Sequence, residues 1–438
     1  MRLRRPCGPS SVALAMFEFQ PLNTTVAKHV GGGTPSRHVE AYWGGEVPWA
    51  SVKDFADGDD WISSTQEFIT DSGLRASASN LIAAGTPLVC TRMAVGRCAI
   101  ATVPLAINQD VKALFPPRGT SPRYLLKLLQ HIQPRAESTA VGSTVKGIRI
   151  QDYLSLPVPL APVSEQPLIA QIIDTLDTTI RQTEAIIEKL KQVKQGLLHD
   201  LLTRGIDANG ELRPHRHVAP HLYKETPLGW VPSAWDVRPA DQVCEAVIDC
   251  KNRTPPEAAS GYAVVRTPNV RDGQFVRDGL TFTDANSYEV WTQRGKPRAG
   301  DILITREAPV GEVCLLPEDI GPACLGQRMM MYRPDPAKLD GRFMLTALLS
   351  QQVQDVLGDL SGGSTVGHVR VGDIRTLPIP VPPLDEQLQI ATMFEAFRQR
   401  SLTEERTLDK VCQLKSALMD DLLTGRVRVT PLLADAAR

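Results

Sequence analysis

The residues best suited to chemistry are two Gly/Ser-rich turns, a histidine cluster and an isolated Pro-Asp pair, and none completes a catalytic set. Gly362 to Gly367 approaches a phosphate-cradling loop, but His368 stands where that loop needs its lysine, and the sister run Gly142 to Gly147 also misses the spacing. Both read as turns before a strand. Gly31-Gly32-Gly33 leads into Thr34-Pro35 rather than a helix, so it reads as a loop. Pro334-Asp335 opens like a nuclease motif, yet no acidic-x-Lys triplet follows in a suitable strand, and no Asn-Pro-Pro-Tyr or Asp-Pro-Pro-Tyr tetrapeptide exists to hold a flipped base. His215, His217 and His221 sit in a Pro-rich stretch without cysteines or carboxylates at metal-ligand spacing, and read as linker histidines. Nothing assembles a nucleophile, a general base and a stabilising donor. The chain reads as a binder.

The elements that would position a binding surface are laid out by duplication. Gly142-Ser143-Thr144-Val145 returns as Gly363-Ser364-Thr365-Val366. At that same shift Arg149 meets Arg370, Leu156-Pro157-Val158-Pro159 meets Leu377-Pro378-Ile379-Pro380, Glu165-Gln166 meets Glu386-Gln387, and Asp200 to Thr203 meets Asp421 to Thr424. The period far exceeds the ~20–50 residues of solenoid units, so this is a duplicated domain with its connector. Two copies of one binding unit suit a target that also has two parts.

Two blocks are helical. Apolar residues step by four and three through Ile169, Ile173, Leu176, Ile180, Ile187, Leu190, Leu197 and Leu201, and again through Ile390, Phe394, Phe397, Leu408, Val411, Leu418 and Leu422. A 3.5-residue period held this long predicts a coiled-coil seam, with Lys194 and Lys415 interrupting both copies at one register. Each helix would run about 60 Å at 1.5 Å per residue, and two matching seams most simply pair with each other. Ser164 and Asp385 are the expected N-caps.

The flanking blocks mix short apolar runs with Gly and Pro turns and predict α+β domains. Their echoes are weaker: Ser51 to Asp54 against Asn269 to Asp272, Thr91-Arg92 against Thr305-Arg306, Val95-Gly96 against Val310-Gly311. The expected organisation is a disordered or over-long tail at 1–16, a first mixed domain at 17–163, a long helix at 164–205, a linker at 206–226, a second domain at 227–383, a second long helix at 384–426 and a tail at 427–438.

A length of 438 residues suits two or three domains. Eight scattered cysteines without a CxxC pair predict reduced thiols and a cytoplasmic protein, and no run suits a membrane span. The net charge of −1 advertises no nucleic-acid binding, so any grip on DNA must come from local basic surfaces or from partners.

At this point the framework resembles the specificity subunit of type I restriction-modification systems. The resemblance rests on Gly32-Gly33-Thr34-Pro35-Ser36 with Tyr42-Trp43 and Val47-Pro48-Trp49, on Thr226 to Pro232, and on both Leu-Pro-x-Pro runs leading to Glu-Gln. It covers the chain from about Phe17 to Arg426. One departure is that nothing before the first domain matches Pro232 to Trp235, which predicts an incomplete or differently built entry there.

The resemblance implies two target-recognition domains joined and separated by two long helices in an antiparallel coiled coil, with pseudo-two-fold organisation. It implies a bipartite double-stranded DNA site and a chain without catalysis of its own. The implied partners are two methyltransferase subunits, and a nuclease subunit for restriction. S-adenosylmethionine, ATP and magnesium would belong to those partners, and no metal to this chain. Long polar side chains beside the framework anchors are the DNA-contact candidates: Lys53, Arg75, Arg92 and Arg97 in the first domain, Arg266, Asn269, Arg271 and Arg306 in the second. Lys146, Arg149 and Arg370, beside the Gly-Ser-Thr turns, are candidates for phosphate contact. The alternatives are the specificity subunit of a methylation-only system, an enzyme with a cryptic active site, and a coiled-coil scaffold that does not bind DNA.

Overall fold

A computed structural model describes residues 16–56, 58–362 and 367–436. The N-terminal stretch expected as a tail, up to residue 15, and the second Gly-Ser-Thr-Val turn, 363–366, lie outside the described residues. The chain divides into two compact units, residues 1–184 with 406–438 and residues 185–405, each with its own apolar core. Each unit takes one half of both long helices, Gln166–Thr203 and Leu384–Thr424.

In the first unit a five-stranded sheet runs, in spatial order, Lys28–Gly31, Val111–Phe115, Pro87–Cys90, Cys98–Ala101 and Trp61–Ile62. The two strands Pro87–Cys90 and Cys98–Ala101 are buried at every position, which explains their unbroken apolar runs. Alternate side chains take opposite faces. Val89, Cys98, Ile100 and Leu114 meet the helix Pro122–Thr139, while Leu88, Cys90, Ala99 and Ala113 meet a second sheet through Ala50 and Ile107. The second unit repeats the plan with Cys244–Asp249, Met329–Pro334, Ile302–Arg306 and Val310–Leu315, backed by the helix Gly341–Leu348 and a three-stranded sheet around Tyr262–Val265.

Strand register corrects the sequence match between the two mixed domains. Leu88 pairs with Ala99 and Ala113, as Leu303 pairs with Cys314 and Met331. Counting along from these, Thr91 corresponds to Arg306, Arg92 to Glu307, Met93 to Ala308 and Gly96 to Gly311. The bridge Arg92–Gly147 accordingly recurs as Glu307–His368. Matching Thr91-Arg92 with Thr305-Arg306 is thus one residue out of step. The other anchor is three residues out. The Ser51 N–H donates to the Asp54 carboxylate at 2.8 Å, and the Arg266 N–H to the Asn269 side chain at 3.0 Å, so Asn269 is the counterpart of Asp54, not of Ser51.

At the entry to the first domain, the expected departure from the second is seen as one aromatic standing in for another. Phe19–Pro21 pairs with Pro157–Pro159 as Asp236–Pro239 pairs with Pro378–Val381, and this register puts Phe17 in the place of Trp235. Both rings are buried. Each lies against a left-handed glycine closing a long helix, Phe17 on Gly425 (φ 78°) and Trp235 on Gly205 (φ 61°), where a Cβ would collide with the ring. Among the described residues, this entry carries a phenylalanine where the second domain carries a tryptophan.

Every seam position is buried or half-buried. In the first unit Ile169 and Ile173 share a core with Leu422, and the Lys415 ammonium reaches Asp177. In the second, Leu201 shares a core with Ile390, and Lys194 lies over the Phe394 ring at 5.8 Å. Within each unit the helix halves therefore run antiparallel. The two lysines that interrupt the pattern are occupied, one by a carboxylate and one by an aromatic face. The helix starts differ from the expected caps: Ser164 lies in a turn two residues early, and Asp385 is already in the first turn. The repeated Glu-Gln does the anchoring. Gln166 and Gln387 each donate to the carbonyl five residues back, at 3.0 and 2.8 Å, while Glu165 receives Arg428 and Glu386 receives Arg213.

Candidate nucleic-acid interface

In the first unit the structure gathers most of the cationic candidates around one pair of turns. The strands Pro87–Cys90 and Cys98–Ala101 are joined by residues 91–97, and this connection is stapled to the turn after the helix Pro122–Thr139. The staple consists of backbone bonds: Met93 N–H to the Lys146 carbonyl at 2.9 Å, and Ile148 N–H to the Thr91 carbonyl at 2.9 Å. The turn itself closes with Val141 and Gly147 bonded to each other in both directions. Arg92, Lys146 and Arg149 are exposed on this platform. Arg92 is within 3.4 Å of Asp110, and half-buried Arg97 donates to the Phe55 carbonyl at 3.2 Å. Lys53 is exposed on the short helical turn Val52–Asp54, next to Val52, which shares a cleft with Met93, Arg97 and Lys146. Arg75 is placed elsewhere, in the last turn of the helix Asp71–Arg75.

The second unit places its candidates differently, and two of them are corrected. Asn269 is fully buried, accepting from Arg266 N–H and donating to the Val276 carbonyl at 3.0 Å, so its amide is occupied in holding a turn. Arg306 is 7% exposed and donates to the Val369 carbonyl at 3.3 Å, with Asp249 at 3.7 Å. It occupies the inward position of Thr91, because a one-residue slip along a strand moves a side chain to the opposite face. Arg266 is half-buried and donates to the Gly279 carbonyl at 3.0 Å. Arg271 is exposed beside a tight turn, and Arg370 is exposed at the start of the helix Val371–Arg375. Where the first unit shows Arg92, the second shows Glu307, bonded to His368 at 2.6 Å and Arg328 at 3.0 Å.

Met93, Glu307 and Arg328, which the structure brings to these tips, are not singled out by sequence reasoning. The signal for Met93 and Ala308 is conformational: both have positive φ, 65° and 43°, without being glycine. No residue type announces that.

The first unit also holds a buried charge cluster. Lys127, fully buried on the helix Pro122–Thr139, contacts Asp60, Asp177 at 2.6 Å and Asp174 at 3.1 Å. The three carboxylates are close enough to one another to hold a cation, and the ammonium fills that role. Burial pushes the Lys127 ammonium down, but Asp60 and Asp177 outweigh it and hold its pKa above the usual value. Burial likewise pushes Asp177 up, and hydrogen bonds from Lys127 and Lys415 outweigh it and keep it below the usual value. The cluster joins the recognition sheet's edge, its helix and a long helix.

Duplicated α+β modules mounted on long paired-seam helices, with exposed cations on a rigid pair of turns, define a two-module recognition protein. The chain matches the family described as the type I restriction modification DNA specificity domain twice, over residues 24–192 and 232–413. It is similar to the MjaVIII specificity subunit of Methanocaldococcus jannaschii, 22% identical over 410 residues and 92% of each chain. It is also 30% identical to the EcoR124I/EcoR124II specificity subunit of Escherichia coli, over 40% of this chain and 46% of that one. The fold is like that of the type I restriction-modification S subunit from M. genitalium, with a TM-score of 0.58, 14% identity and coverage of 95% and 98% of the two chains. The chain belongs to this family: it is a DNA-specificity subunit of the type I restriction-modification kind.

Proposed function

We propose that each recognition module reads one half of a bipartite duplex site, and that this chain selects the sequence while other subunits perform the chemistry. The observation that carries the reading is duplicated: the same strand connection is bonded to the segment that follows, Ile148 N–H to Thr91 in one copy and Val369 N–H to Arg306 in the other, with different side chains at the matching tips. A common scaffold with separate tips suits two unlike half-sites.

The charge balance supports partners. With a net charge of −1 the chain neutralises few phosphates alone, so two methyltransferase subunits, bringing S-adenosylmethionine, would clamp the duplex while the modules read base edges. A nuclease subunit would join for restriction, using ATP and magnesium in its own sites. Among the described residues no helix is long and apolar enough to cross a membrane, which is compatible with work on cytoplasmic DNA.

The test is competition binding of the chain, alone and with methyltransferase subunits, against duplexes carrying intact or scrambled half-sites. Preference for one bipartite duplex, and methyl transfer only when the partners are present, are the expected results. Methyl transfer by the chain alone would overturn the division of labour.

A further inference from the structure

Met93 is an apolar side chain displayed at a conformational cost. Its φ of 65° lies in the left-handed region, which disfavours residues bearing a Cβ. A glycine would sit there without strain, and the same connection does use one, Gly96 at φ 84°, where a Cβ would press on Gln133 and Ala136. At position 93 the chain instead carries a long thioether that is 67% exposed. The tip is not loose: Met93 N–H donates to Lys146, Ala94 N–H to Arg92 at 2.8 Å, and Gly96 N–H to Cys90 at 2.9 Å.

The second unit repeats the outlier independently. At the matching position Ala308 has φ 43°, followed by Gly311 at 83° in the place of Gly96. The scaffold therefore presents a left-handed, exposed, apolar residue at the same tip in both copies, although the surrounding sequence differs. Beside Met93 stand Arg92 and Arg97 on the same connection and Lys146 on the turn stapled to it, with Arg149 sharing a neighbouring cleft with Arg92. Cations of this kind position a protein on phosphates, while sequence is read by contacts to the bases, apolar ones included.

We propose that Met93 is a specificity-determining contact, packing its thioether against the apolar surface of a base pair in the first half-site. This rests on the DNA reading given above. Two features of duplex DNA offer that surface, the thymine methyl group in the major groove and the face of a base at an opened step. Ala308 is too short to reach in the same way, so the contact belongs to the first half-site alone.

Met93→Gly removes the side chain while relieving the backbone, so a loss of binding cannot come from a strained fold; Ala308→Gly is the matched control. The assay uses the chain assembled with methyltransferase subunits, on a duplex bearing the methylated motif mapped in cells and on a scrambled duplex. Met93→Gly is expected to weaken specific binding about 5- to 100-fold and leave scrambled-duplex binding unchanged, while Ala308→Gly stays within about twofold of wild type. Uracil in place of one thymine reproducing the loss in wild type identifies the methyl group, and 2-aminopurine brightening in wild type but not in Met93→Gly identifies an opened step. Unchanged specific binding in Met93→Gly overturns the proposal, as does loss of methyltransferase assembly, which would make Met93 a protein contact. If wild type itself shows no preference for any bipartite duplex, the DNA reading fails first and is recognised separately.

Discussion

Arg149 is the clearest phosphate candidate at the residue scale, being exposed beside the stapled turns and at the cap of the helix Ile150–Leu154. Arg149→Ala should weaken binding about equally on specific and scrambled duplexes and lower the salt slope by about one, measured by titration across salt concentrations. Lys127 acts through structure instead. Lys127→Met leaves buried Asp60 without its cation, while Asp177 keeps Lys415 and Asp174 keeps Arg123, and should cost about 3–5 kcal/mol in urea unfolding. The pH response follows from the signs. Asp177 and Glu165 both titrate below their usual values, so they contribute stability that is present above the unfolded carboxylate range, ~3.9–4.3, and lost as pH falls through their lowered values. Unfolding midpoints should therefore fall on acidification, and less steeply in Arg428→Ala, which removes the guanidinium that holds Glu165 low. A midpoint indifferent to acid would contradict these assignments.

At the scale of elements, the seam residues nearest each module are the most deeply packed. Ile390 is fully buried in the core that holds Leu201 and Ile304, so Ile390→Ala should cost about 2–5 kcal/mol by chemical denaturation. Half-buried Leu408 should cost less, and the reverse ranking would argue against the seam as described. The long helices were legible because a heptad pattern is a local signal repeated many times. The mixed domains were legible only as a class. Their register was not, because identical residues at the anchors, such as Thr91 and Thr305, drew the match one position off the strand ladder. That slip accounts for Arg306, a DNA-contact candidate by sequence, occupying a buried position. Asn269 was misjudged for the matching reason: a turn-capping amide and a base-reading amide are the same residue type, and only its burial separates them. Phe17 shows the converse, an aromatic of different type filling the place of Trp235. Positive-φ tips such as Met93 leave no trace in composition or period.

At the scale of the whole molecule, the duplication makes a two-part target the natural one, and a net charge of −1 leaves no surplus of cations for the phosphate backbone. Helix length should then set the preferred spacer, and adding one heptad to each long helix should lengthen it while leaving both half-sites intact. An unchanged spacer would remove the helices from that role. The most direct measurement is a genome-wide map of methylated bases in cells carrying either this chain or a version whose first recognition module has been exchanged for a relative's. The account predicts one bipartite motif in which the first half changes and the second half stays the same. A single contiguous motif, or a change in both halves, would contradict it.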